Sequence, residues 1–312
     1  MKLIFHKKNF KKFMTQKGYS VAIIGCGRLG SALAIAMYHK KYRITELIDR
    51  SLASAKKLAG LVNADAYSDK IHDLKTAEIV VIAVPDDAIV PIVSELATWL
   101  DETNDIKFIY HTSGALTSDV FDPLRKYQIA GASVHPIQTF PGSDDDWKRF
   151  ENCYFGIEGD RRAVELVQSI IKKLGSKSVM IPKEYKSHYH LACTIASNFM
   201  VALMAPVTAL FQKVTCSEQQ VFEILFPLLT TTLANLKNNG LESALSGPII
   251  RGDTGTIERH LKILSEELPP YVSLYQFMAK ILLEFNTVKE NLTKEQYENL
   301  TQLLSKKDLD YD

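Results

Sequence analysis

The chain has 312 residues, of which 46% are hydrophobic and 23% charged, enough for one large or two medium globular domains with a true core. A formal charge of +1 supplies no global basic field for nucleic acid, and no uninterrupted apolar run is long enough to cross a bilayer, so neither a nucleic-acid nor a membrane partner is expected. The four cysteines, Cys26, Cys153, Cys193 and Cys216, lack C-x-x-C spacing, which argues against a zinc site or disulfide framework and suits a reduced, cytoplasmic setting with no metal.

Residues 1–18 read as a basic tail, with Lys2, Lys7, Lys8, Lys11, Lys12 and Lys17 and no acid. The segment lacks the apolar core and small-residue cleavage site of a secretory signal, and Met14 offers an alternative start. Residues 21–24 then form a strand that runs into Gly25-Cys26-Gly27-Arg28-Leu29-Gly30, a G-x-G-x-x-G turn. In such a turn the first glycine makes the tight bend, the second lets backbone approach a pyrophosphate, and the third lets helix pack on strand. The phosphates sit on the positive end of the helix that begins near Arg28. Cys26 is a small tolerated residue within the turn rather than a nucleophile.

A second strand, 44–48, ends at Asp49, nineteen residues beyond Gly30, where the ribose-reading acid of a dinucleotide unit belongs. Asp49 suits the 2′-hydroxyl of NAD, whereas Arg50 and Ser51 suit the 2′-phosphate of NADP; the adjacent Arg-Ser pair favours NADP(H) over NAD. An apolar strand, 78–84, exits through Val84-Pro85-Asp86 into a helix over 88–100, and these three residues should border the cofactor because ligands lie beyond the carboxyl ends of parallel strands. Strands 106–110 and 129–134 open into His111-Thr112-Ser113-Gly114 and His135-Pro136-Ile137-Gln138, delivering histidines and hydroxyls to one sheet edge. His135-Pro136 also reads as a simple rigid turn.

A strand at 153–157, a helix over 161–174 and a strand at 178–181 complete an α/β half, and strand signals fade after Pro182. We therefore expect a Rossmann-type, doubly wound, mostly parallel sheet over 19–182 and an all-helical domain over 183–312. Helices are expected over 185–214, 218–238, 256–268 and 271–285, with Pro206 and Pro227 kinking or interrupting the first two.

On the first of these helices Lys186, His190, Thr194 and Asn198 recur every four residues and share one stripe. Hydride transfer to a carbonyl creates an alkoxide that needs a proton donor and a positioning donor. His190 or Lys186 fits the first role and Asn198 the second; a solvated face is the plainer alternative. Downstream, Arg251 suits a substrate carboxylate, while Asp253 either joins it or caps the helix near Thr256.

Taken jointly, Gly25 to Gly30, Val84-Pro85-Asp86-Asp87, His111-Thr112-Ser113-Gly114, Ser133 to Phe140, Tyr189-His190 through Ser197-Asn198, and Gly247-Pro248 through Asp253 resemble a family of Rossmann-like oxidoreductases with a helical C-terminal domain long of unknown function. The resemblance covers residues 19–290 and extends to the 6-phosphogluconate dehydrogenase-like superfamily of ketopantoate, pyrroline-5-carboxylate and hydroxyisobutyrate enzymes. Some members of the family are implicated as an alternative ketopantoate reductase of pantothenate synthesis.

It implies NADPH-dependent reduction of a 2-oxo acid, foremost 2-dehydropantoate, by a homodimer joined through the helical domain. Ser113 and His135 would line the cleft. Conventional ketopantoate reductases carry Lys-x-x-x-Asn on the catalytic helix; here the position four after Lys186 is His190, which leaves the proton donor open. A pyrroline-5-carboxylate-type imine reductase and a non-catalytic NADP(H)-binding sensor are the alternatives.

Overall fold

The computed structural model describes residues 18–101, 103–214 and 217–306. The basic tail up to residue 17, including Met14, and Cys216 lie outside the described residues. Two compact units divide between Ala196 and Ser197.

The first unit is built on an eight-stranded sheet of order β3-β2-β1-β4-β5-β6-β7-β8. Its strands are β1 (Ser20–Ile24), β2 (Arg43–Ile48), β3 (Ala66–Ser68), β4 (Ile79–Ile82), β5 (Phe108–His111), β6 (Ala130–Pro136), β7 (Tyr154–Gly159) and β8 (Lys177–Met180). Every pairing is parallel except β6 with β7. The order reverses at β1 and β4, which opens a crevice at their carboxyl ends.

Strand alternation decides which helix covers which face. Val21 and Ile23 point into a core shared with α1 (Arg28–His39), α2 (Leu52–Val62) and α4 (Arg161–Lys173). Ala22 and Ile24 point into a second core shared with α3 (Asp86–Trp99) and a 3-10 stretch, Ser118–Tyr127. With both faces covered, all four residues of β4 are fully buried, as its continuous apolar run requires. The short strand β3 and the 3-10 stretch carry too little periodicity to be read from sequence. The chain between β3 and β4 is held by the buried carboxylate of Glu46, which accepts from the backbone N–H of Lys75 and Thr76.

After Lys183–Tyr185, one 3-10 turn, come α5 (Lys186–Thr194) and a π-helical turn, Ile195–Phe199. The domain boundary expected at residue 182 is therefore corrected: Lys186 and Tyr189 are bonded to Ser133 and His135 of β6, which binds α5 to the first unit.

The second unit contains α6 (Met200–Gln212), α7 (Glu218–Asn239), α8 (Thr254–Glu267), α9 (Val272–Leu283), α10 (Asn286–Asn291) and α11 (Lys294–Leu304). Its core gathers Ile249, Ile257, Leu261, Leu283, Val288 and Leu300. Pro206 and Pro227 lie inside α6 and α7 without ending them, each forgoing one backbone hydrogen bond.

A second correction concerns apolar length. The helical run Lys183–Gln212 spans 30 residues and holds an 18-residue window of mean hydropathy 1.7 with no buried residue, so by length and composition it is long and apolar enough to cross a membrane. Polar residues such as Thr194 and Asn198 interrupt the apolar run in sequence without interrupting the helix.

Candidate active site

The glycine turn joins β1 to α1. Gly25 has φ +101°, and a Cβ there would lie 2.3 Å from the Ala83 carbonyl oxygen; a Cβ on Gly30 would lie 1.8 Å from the Gly25 carbonyl oxygen. These two glycines are demanded by the fold itself. Gly27 is different: a Cβ there meets no protein atom within 4 Å. Nothing in the fold requires glycine there, and its bare backbone leaves the mouth of the turn open.

Helix α1 has no side-chain cap and no acid in its first turn, a condition it shares with α4; what sets it apart is the glycine turn that leads into it. An uncapped helix start at Gly27, with the Cys26 side chain buried, fits a dinucleotide pyrophosphate, with Gly27, Arg28 and Leu29 as its surroundings.

Asp49 braces this turn. One carboxylate oxygen accepts from Cys26 N–H at 2.7 Å and the other from Ser51 N–H at 2.8 Å. Ser51 in turn caps α2 through Ser54 N–H, and Arg50 is exposed beside it. Burial, then the Asp49 charge, push the Cys26 thiol up to about 12, so it is no nucleophile at neutral pH.

A cavity of about 250 Å³ opens at the carboxyl ends of β4, β5 and β6. Leu29, Val84 and Asp86 line it beside the glycine turn, and its other lining residues include Thr112, Ser113, Gly114, His135, Gln138 and His190. Sequence reasoning named Leu29, Val84, Asp86, Ser113, His135 and His190, and the fold brings these together. Pro85 instead precedes α3 as its cap residue.

Both imidazoles rest on Gly114. A Cβ there would stand 2.5 Å from His190 Cδ2 and 3.0 Å from His135 Nε2, and the two ring centres are 6.0 Å apart. Ser113 keeps the loop closed: its Oγ accepts from Ala115 and Leu116 N–H.

The other strand-end histidine, His111, is fully buried, with Nδ1 accepting from Ser113 N–H and Nε2 at 3.2 Å from the Thr117 carbonyl. Both nitrogens are committed, and burial holds its pKa down at about 4. It is a neutral strut.

The proposed stripe does not act as one face. Lys186 is 1% exposed, donates to Ser133 Oγ at 2.6 Å and lies outside the cavity lining. Desolvation lowers its pKa while Glu158 and Asp86 oppose the shift. Ser133 passes the bond on to the Ser113 carbonyl, and buried Glu158 accepts from Ser118 N–H and Oγ–H. Lys186 is thus corrected from proton donor to a buried support under the His111–Gly114 strand exit. Thr194 bonds back to the His190 carbonyl of its own helix.

The α-helical period ends at Ile195, so Asn198, exposed in the π turn, does not extend the stripe. Asn198, Arg251 and Asp253 all belong to the second unit. There Arg251 is exposed and Asp253 caps α8, accepting from Thr256 N–H at 3.0 Å and Thr256 Oγ1–H at 2.7 Å. That cap, rather than a substrate contact, is what the structure shows for Asp253.

Sequence reasoning gave no role to Tyr189, Ser133 or Glu158. Tyr189 Oη lies 2.7 Å from His135 Nδ1, and its position directly before His190 was the available signal.

Comparison with known proteins bears on the fold. The sequence matches the Rossmann-like domain family over residues 7–136 and DUF2520, a domain of unknown function, over residues 153–281. The fold is similar to BF3122 from Bacteroides fragilis, a provisionally named NADP oxidoreductase, at 24% identity over 85% of this chain and 98% of that one, with TM-score 0.69. It is similar to protein TM1727 from Thermotoga maritima at 27% identity over 86% and 98% of the two chains, TM-score 0.65. An imine reductase from Myxococcus stipitatus, solved with NADP+, shares the fold at 17% identity over 88% and 100%, TM-score 0.59. No curated protein matches the chain in sequence.

Proposed function

Since this chain pairs a Rossmann-like domain with a DUF2520 domain, we propose that it is an NADPH-dependent reductase of a small 2-oxo acid, converting 2-dehydropantoate to pantoate. The observation that carries this reading is the small polar cavity in which two imidazoles face Leu29, Val84 and Asp86 of the nucleotide side.

Gly27, Arg28 and the Asp49–Ser51 corner would hold NADPH, which would supply the hydride when bound. Arg50 and the Ser51 hydroxyl favour a 2′-phosphate, because the Asp49 charge is already satisfied by two backbone N–H groups. Thr112, Ser113 and Gln138 offer neutral donors for a substrate carboxylate at the cavity wall. His190, half-buried and reaching the cavity from α5, delivers the proton to the nascent alkoxide.

The deciding experiment follows NADPH oxidation with 2-dehydropantoate, other 2-oxo acids and cyclic imines, with NADH in parallel. Turnover with 2-dehydropantoate supports the reading. Turnover with imines alone selects the imine-reductase alternative, which the shared fold with the Myxococcus enzyme favours as second choice. NADPH binding without any oxidation selects a sensor.

A homodimer through the helical unit is part of the same proposal. Phe226, Leu228, Val201 and Phe277 are each more than 60% exposed, and an apolar cavity of about 480 Å³ lies between α6, α8 and α9. A second copy covering these surfaces accounts for them, and a monomeric mass by light scattering refutes it. The free cysteines Cys26, Cys153 and Cys193 support a reducing, cytoplasmic location.

A further inference from the structure

The reductive reading leaves one imidazole of the cavity without a task. His135 Nδ1 meets Tyr189 Oη at 2.7 Å with the rings edge to face. The contact is built into the strand pair: His135 on β6 stands opposite Gly156 on β7, and a Cβ on Gly156 would lie 2.5 Å from Tyr189 Oη. The phenol therefore lies over Gly156, directly across from the ring it touches.

Around this pair stand Lys186, His190 and Cys153, and Tyr189 Oη also accepts from the Gly156 N–H and meets the Cys193 side chain, whose neutral sulfur is a weaker acceptor than a ring nitrogen. Burial, with the Lys186 charge and His190 adding to it, holds the His135 pKa at about 4, and burial raises that of Tyr189 well above its ordinary value. Both partners are neutral at physiological pH. Between a neutral phenol and a neutral imidazole the O–H is the stronger acid and the ring nitrogen the stronger base, so the O–H donates to Nδ1. The ring hydrogen then sits on Nε2, the atom packed over Gly114 at the cavity.

Resting on the reductase reading, we infer that Tyr189 is a positioning residue that locks His135 as its Nε2–H tautomer, and that His135 is a neutral hydrogen-bond donor to the oxygen or nitrogen of the reacting double bond. His135 is a catalytic residue that keeps its proton. A neutral N–H aimed at the atom where negative charge develops stabilises the transition state without prior reorganisation. His190 transfers the proton, so the two imidazoles divide polarisation from protonation. His111 has no such capacity, since both its nitrogens are bonded within the fold.

The test separates this inference from the reading beneath it. Long-range 1H–15N correlation spectra of 15N-histidine-labelled protein report the tautomer of each ring without any substrate. For wild type at pH 7 we expect His135 protonated at Nε2 alone; in Tyr189→Phe we expect a mixture of tautomers and a titration moved toward neutral pH. A wild-type Nδ1–H tautomer, or a spectrum unchanged by Tyr189→Phe, overturns the inference.

In turnover, Tyr189→Phe should lower kcat about tenfold or more with KM for NADPH unchanged and an altered pH profile. His135→Gln, which keeps a neutral N–H, should retain about tenfold more activity than His135→Ala. Equal activity of those two variants overturns the donor role. A wild type that oxidises NADPH with no carbonyl or imine refutes the reductase reading and with it the donor role, while the tautomer spectra still decide what Tyr189 does.

Discussion

Gly27 and Gly30 differ in what a single methyl group would strike, and the pair of substitutions to alanine separates folding from cofactor binding. At Gly30 the new Cβ would lie 1.8 Å from the Gly25 carbonyl oxygen, so helix α1 must move off β1 by more than an ångström. Overpacking against backbone costs about 3 kcal/mol. For a chain of this size that lowers Tm by roughly 6–12 °C.

At Gly27 the Cβ meets no protein atom. Loss of the glycine cap position costs a few tenths of a kcal/mol to about 1 kcal/mol, and the reduced freedom of the unfolded chain returns about as much. Gly27→Ala should therefore melt within about 3 °C of wild type while its NADPH affinity falls at least about tenfold, or 1.4 kcal/mol. Thermal denaturation and titration of NADPH fluorescence measure both. Wild-type NADPH affinity in Gly27→Ala would refute the placement of the pyrophosphate at this turn.

Further substitutions probe the rest of the site. His190→Ala should lower kcat by about 10²-fold or more with the NADPH dissociation constant unchanged; full activity removes His190 from the mechanism. Lys186→Met removes the donor to the buried Ser133 hydroxyl and should cost about 1–3 kcal/mol; because Lys186 and Glu158 sense each other's charge, adding Glu158→Gln should cost less than the sum of the two single losses, and additive losses in urea melts would show the two residues uncoupled. His111 has a folded pKa of about 4 against 6.5 for the free side chain, so its stabilisation is present above pH 6.5 and is lost as pH falls through 4. Over that window stability should drop by about 3 kcal/mol, His135 acting in the same sense. His111→Gln should flatten the dependence, and an unchanged slope would contradict the assignment. Asp253→Ala should cost about 1 kcal/mol through the lost cap of α8 with no change in NADPH affinity.

The nucleotide half was legible because its signals are local. Gly25, Gly27 and Gly30 are close neighbours in sequence, and Asp49 lies at the end of the next strand, so spacing alone located the turn and its corner. The sheet was legible because strands buried on both faces read as continuous apolar runs, as β4 does. The candidate cavity was half legible: strand ends named Ser113 and His135, but the bond from His135 to Tyr189 spans 54 residues and the one from Ser118 to Glu158 spans 40. No periodicity encodes such pairings. The stripe from Lys186 to Asn198 went astray for two physical reasons. Burial turned Lys186 toward Ser133, and the π turn at Ile195 broke the period that would have aligned Asn198.

Gly156 and Tyr189 carry a lesson about inheritance. A phenol oxygen within 2.5 Å of where a methyl would sit means that the two positions cannot drift independently. A side chain gained at 156 must displace the phenol at 189, by a shift or by its loss, and so take it off His135. Among descendants of this fold, the co-occurrence of glycine at one position and tyrosine at the other therefore marks which ones retain the same polarising imidazole, even where overall identity has eroded.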